Sequence, residues 1–117
     1  MAYCIGNIIV GVPVSAIPSR VLKDILEQME VLEQRELEME DLGFNMLYSA
    51  GGDQGGYVGV ALAEIDETDD VDVAKLLPQI TPTPEQWAEA RALITALPEP
   101  LRAVMPEPKV WIVWSSS

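Results

Sequence analysis

Residues 44–65 read FNMLYSAGGDQGGYVGVALAEI, two strand-like runs, Phe44 to Ala50 and Tyr57 to Ile65, on either side of the glycine-rich segment GGDQGG. β-Branched and aromatic residues suit the pleated, half-buried surface of a sheet, and two such runs with a flexible joint between them read as a hairpin. The pattern therefore predicts a hairpin with a loose tip over Gly51 to Gly56. Its place in the chain decides the fold, because one strand-and-helix pattern precedes it and a helix-and-strand pattern follows it.

Upstream, IGNIIVGVPV from Ile5 to Val14 is rich in β-branched residues and predicts a central first strand that bends or ends near Gly11 and Pro13. Ser19, after Pro18, is the expected N-cap of a helix running from Val21 to about Asp41. Leu22, Ile25, Leu26, Met29 and Leu32 recur there at three and four, Leu37 and Met39 prolong the stripe less regularly, and Gly43 is its natural stop. Downstream, Asp72 to Leu77 has room for one or two helical turns before Pro78. Thr83, Pro84, Glu85 and Gln86 combine a cap, a proline at the first helical position and acid near a helix N-terminus. The helix they start places Trp87, Ala90, Leu93, Ile94 and Leu97 on one face, with a further turn at Leu101 to Met105 and a last strand at KVWIVW, residues 109–114. The order strand, helix, strand, strand, helix, strand matches an α+β class, ferredoxin-like (βαββαβ) sandwich, with two helices on one face of a four-stranded antiparallel sheet. Residues 1–117 are expected to form a single domain, with residues 64–72 an acidic connector inside it.

With 49% apolar and 22% charged residues, 117 residues make one ordinary domain with one hydrophobic core. The 19 acidic and 7 basic residues give a net charge of −12, which repels phosphate backbones and anionic membrane surfaces, so neither direct nucleic-acid binding nor membrane association is expected. No apolar run approaches the ~20 residues of a membrane span, and Ile5 to Val14 lacks the flanks of a signal peptide, so the expected location is cytoplasmic. Cys4 is the only cysteine and there is no histidine, which removes an internal disulfide, the usual zinc ligands and the usual base of a nucleophilic triad. No cofactor, no metal and no catalytic residue are expected. GGDQGG lacks the Lys and Ser or Thr of a phosphate-binding loop. Set as a calcium loop beginning at Asp66, the chain has Val71 where glycine and Leu77 where glutamate are required.

The sequence is most pronounced in its acids. Glu64, Asp66, Glu67, Asp69, Asp70 and Asp72 fall within nine consecutive positions, and Asp24, Glu27, Glu30, Glu33 and Glu36 recur every three residues. On a helix that second series drifts by ~60° per step and makes a slanted ribbon, only partly relieved by neighbours such as Lys23 with Glu27. A solvated face tuned for solubility is one reading. The other is a binding surface: concentrated carboxylates repel one another in the compact state, and a cationic partner would neutralise them. Glu64, Asp66, Glu67, Asp69, Asp70, Asp72, Glu27, Glu30 and Glu33 are then the partner-binding candidates, with Tyr48, Tyr57, Trp111 and Trp114 as aromatic anchors or as sheet packing. The expected function is a non-enzymatic, protein-binding inhibitor of a basic, nucleic-acid-handling partner. Phage anti-CRISPR and anti-restriction proteins and bacterial immunity proteins use that strategy at similar size and charge, although no motif here matches those families. The alternative is a structural or assembly module acting through homo-oligomerisation, distinguished by whether KVWIVW forms an exposed patch or a filled core.

Overall fold

The computed structural model describes residues 4–49, 52–66, 68 and 70–116. Its strands are β1 (Cys4–Pro13), β2 (Asn45–Ser49), β3 (Gly52–Asp66) and β4 (Lys109–Ser116). Its helices are α1 (Ser19–Glu33), α2 (Val73–Leu76), α3 (Pro84–Thr95) and α4 (Glu99–Arg102), with 3-10 turns at Val14–Ala16 and Met39–Leu42. The strands form one sheet in the order β2-β3-β1-β4, every neighbouring pair antiparallel. This is an α+β fold around a four-stranded antiparallel sheet.

The apolar run of β1 makes it an inner strand, paired with β3 on one side and β4 on the other. Ile8, Ile9, Val10 and Val12 are all buried, as a strand covered on both faces requires. Val12 and Val58 meet Leu22 and Ile25 of α1, Leu97 and Leu101 near α3 and α4, and Ile17, Leu42 and Phe44 in the main core. Gly11 and Gly59 face each other across β1 and β3 with φ of 153° and 148°. A Cβ on Gly11 would run into the Val58 carbonyl oxygen, so the two strands approach this closely only because both residues are glycine.

The pairing skips one residue between Ile8 and Ile9, which face Ala63 and Ala61, leaving Leu62 as the bulge. The bulge has a consequence for charge. Side chains alternate between faces, so without the extra residue Glu64 would share the helix-covered face of Val58 and Val60. With it, Ile65 takes that face and Glu64 and Asp66 lie on the other.

On that other face Ile9, Tyr57 and Val113 form a second, smaller buried cluster, with Leu47 and Trp111 packed against it. β2 and β4 end the strand order on opposite sides yet approach one another, so the sheet curls around this cluster. At Gly55 a Cβ would stand 3.3 Å from Val113 Cγ1.

Three sequence expectations for the first helix and the hairpin change. α1 ends at Glu33 rather than near Asp41, closed by Gln34 in the left-handed region with φ 57°. Glu30 and Glu33 place negative charge at the helix end whose dipole is already negative, and no basic residue lies in the last turn to offset it. The chain then folds back, burying Leu37, whose N–H donates to the Glu30 carboxylate at 3.4 Å. Leu32, placed on the core stripe by spacing, is 75% exposed at this end of α1. The second change is the cap: Pro18, not Ser19, precedes the first turn, and no side chain among the described residues caps it. The third is GGDQGG, of which Gly52 to Gly56 belong to β3, which pairs with β2, rather than to a loose tip, while Gly51 lies outside the described residues.

The helix at Pro84 starts as read, with Thr83 Oγ1 accepting from the Gln86 N–H at 3.1 Å and Gln86 Oε1 accepting from the Thr83 N–H at 2.9 Å. Ala90 and Leu97 are buried, but Leu93 is 40% exposed rather than part of the core.

Candidate functional site

The connector begins at the end of β3. Asp66 Oδ1 accepts from the Thr68 N–H at 2.9 Å and from the Thr68 hydroxyl at 2.8 Å. Those two bonds favour the ionised form and lower the Asp66 pKa from its ordinary 3.8. Asp72 Oδ1 accepts from the Ala74 N–H at 3.0 Å and caps the short helix α2. Two of the six connector acids therefore hold local backbone, a role that clustering alone does not reveal.

The same turns bring Glu64, Asp66, Asp70 and Asp72 around one shallow cleft of about 390 Å³, with Ile65 and Lys75 also in its wall. Glu67 and Asp69 lie outside the described residues. Among the described residues, ion pairs link Arg35 to Glu33 at 3.7 Å and to Asp41 at 3.9 Å, and Arg91 to Glu107 at 3.5 Å. None of these involves a connector carboxylate, and all five side chains are more than a third exposed. Among the described residues no group of three or more carboxylate or thiol ligands could hold a metal ion.

The acids of α1 are not part of that cleft. Asp24, Glu27 and Glu33 are exposed and Glu30 is half-buried. Glu30 is engaged by Leu37 and Glu33 by Arg35, while Lys23 and Glu27, four apart, form no ion pair among the described residues. A second groove of about 440 Å³ runs beneath α1 between Ile17, Leu22, Leu26 and Met39, with Lys23 at its rim and no carboxylate in its wall.

The expected anchors separate. Tyr57 is buried in the second cluster, where burial raises its pKa against a hydrogen bond with Asn45, and Glu64 on the same face adds to the rise. Trp111 packs on that cluster with its indole N–H buried and without a partner among the described residues. Trp114 is 46% exposed, and the Tyr48 side chain is outside the described part of its strand. The exposed apolar side chains beside the acids are instead Val71, Val73 and Leu77 at the connector and Val31 and Leu32 on α1. Sequence reasoning missed them by looking for aromatic residues; the signal was the alternation of acid and valine from Asp70 to Val73.

No protein-family model matches this chain, and no curated protein or solved structure matches it. Among the described residues no helix is long and apolar enough to cross a membrane.

Proposed function

We propose that this protein is a non-enzymatic binding domain that occupies and blocks a basic, nucleic-acid-handling protein in the cytoplasm. The observation that carries the reading is the connector cleft, where four carboxylates converge without an ion pair among the described residues and Val71, Val73 and Leu77 stand exposed beside them. Carboxylates presented in this way occupy the place of phosphates on a basic surface, steering association, while the apolar side chains supply desolvated contact. The α1 acids Glu27, Glu30 and Glu33 extend the negative surface, with Glu30 also serving the chain reversal. The finer fold assignment belongs to the same proposal: the order β2-β3-β1-β4, all antiparallel, supports a ferredoxin-like split βαβ sandwich with a strongly curled sheet.

The test is affinity capture from bacterial lysate at low and high salt with wild type and with Asp66→Asn, Glu67→Gln, Asp69→Asn, Asp70→Asn and Asp72→Asn combined. Asparagine still accepts the Thr68 and Ala74 hydrogen bonds, so the turns are retained. A basic protein held by wild type, released by salt and missed by the variant, whose nucleic-acid binding the purified wild-type protein then competes away, is the expected result. Capture of the same proteins by both forms, or of none, overturns the reading.

A further inference from the structure

We propose that β4 is a self-association edge, and that a second copy of this chain docks there about a two-fold axis. β4 pairs with β1 on one side only, so the backbone groups of its outer side have no strand partner among the described residues. Monomeric sheets protect such an edge with charge, proline, a bulge or a covering element. β4 has neither proline nor irregular pairing, and its only charge is Lys109 at its start.

The side chains agree with the backbone. Trp111 and Val113 point into the second cluster, while Val110, Ile112 and Trp114, alternate residues on the other face, are 39%, 48% and 46% exposed. The helices do not cover this end of the sheet: α3 packs on β3 and β1, and Ile112 and Trp114 lean over Gly6 instead. KVWIVW is thus half core and half patch.

Charge identifies the occupant. None of the 19 carboxylates falls in β1 or β4, and the nearest along the chain, Glu107, stands two residues before Lys109 and is paired with Arg91, so the edge strand itself carries no acid. Two molecules of charge −12 repel least when they meet through such a surface, whereas a cationic partner would gain nothing from it. Gly55 stands against Val113 and the Trp114 carbonyl. The new ladder therefore uses the Lys109–Ile112 half of the strand, with Val110 and Ile112 packing on their counterparts.

Sedimentation of the full chain from about 1 to 200 µM tests this, at about 0.05 and 0.5 M NaCl to vary the screening length. Wild type should dimerise, and more tightly in high salt, the reverse of the salt response expected for a cationic partner, so either reading can fail alone. Ile112→Lys should weaken dimerisation by about a hundredfold or more, as charge on an edge strand does, with unchanged circular dichroism. Val110→Lys repeats the test if the first variant unfolds. A wild type monomeric at the highest concentration, or a dimer that both lysine variants leave intact, overturns the proposal. So does a monomer whose lysine variants instead lose a captured basic protein.

Discussion

Two residue-scale devices carry consequences that can be measured. Gly11 and Gly59 let the backbones of β1 and β3 approach where neither could carry a side chain. Gly11→Ala must displace the Val58 carbonyl in the centre of the sheet while holding alanine at a positive φ, at a cost of about 3 kcal/mol or more. Urea unfolding reads this as a fall in midpoint, and a near-neutral midpoint would show that the strands can part without loss. Asp66 provides the second case. Its hydrogen bonds to Thr68 lower the folded pKa below the ordinary 3.8. The resulting stabilisation is complete above 3.8 and disappears as pH falls through the lowered folded value. Titration followed by NMR should place Asp66 below 3.8 in wild type, and Thr68→Val should raise it part of the way back, the backbone N–H bond remaining. A wild-type Asp66 that titrates at or above 3.8 would remove the turn from the description of the connector.

At the scale of elements, local chemistry and tertiary context separate. The start of α3 was legible because its determinants lie within four residues; Thr83→Ala should cost about 1 kcal/mol in thermal or urea unfolding, the usual worth of a cap. Ile25, 5% exposed in the main core, and Leu93, 40% exposed, looked equivalent in spacing. Ile25→Ala should cost about 2–5 kcal/mol and Leu93→Ala under about 1.5, because only the first leaves a cavity. Equal losses would put α3 in a different rotation. The end of α1 was not legible, since it depends on carboxylates opposing the helix dipole and on Leu37 finding the core. Gly52 to Gly56 read as loop because glycine has little intrinsic strand preference; pairing with β2 supplies what composition lacks. The bulge at Leu62 was hidden for a different reason. In the nearly continuous apolar run from Val58 to Ala63, period-two alternation gives no sign of which residue is unpaired, and so none of the face on which Glu64 emerges. The six acids were visible from the start, but the convergence of Glu64, Asp66, Asp70 and Asp72 on one cleft follows from that bulge and from the turns held by Asp66 and Asp72.

The whole molecule is a thin slab of 48 × 38 × 18 Å with a radius of gyration of 15.3 Å, larger than the ~13.4 Å expected for a chain this long. Such a shape moderates the self-repulsion of a charge of −12 by spreading it, but does not abolish it. Only Arg35 and Arg91 form ion pairs among the described residues, all at exposed sites where a pair is worth at most about 1 kcal/mol. Net repulsion therefore exceeds pairwise attraction, and screening should stabilise the fold. The melting temperature should rise by several degrees between about 0.01 and 0.3 M NaCl, over which the Debye length falls from ~30 Å to below 10 Å. The variant neutralised at Asp66, Glu67, Asp69, Asp70 and Asp72 should start from a higher melting temperature at low salt and gain less from added salt. Both runs belong at one low protein concentration, because dimerisation through β4 would itself raise the melting temperature with salt. A melting temperature that falls as salt is added would mean that attractive pairs dominate after all. A neutralised variant much less stable than wild type would mean that the connector acids are bonded within the fold, and a surface bonded internally is not one held ready for a cationic partner.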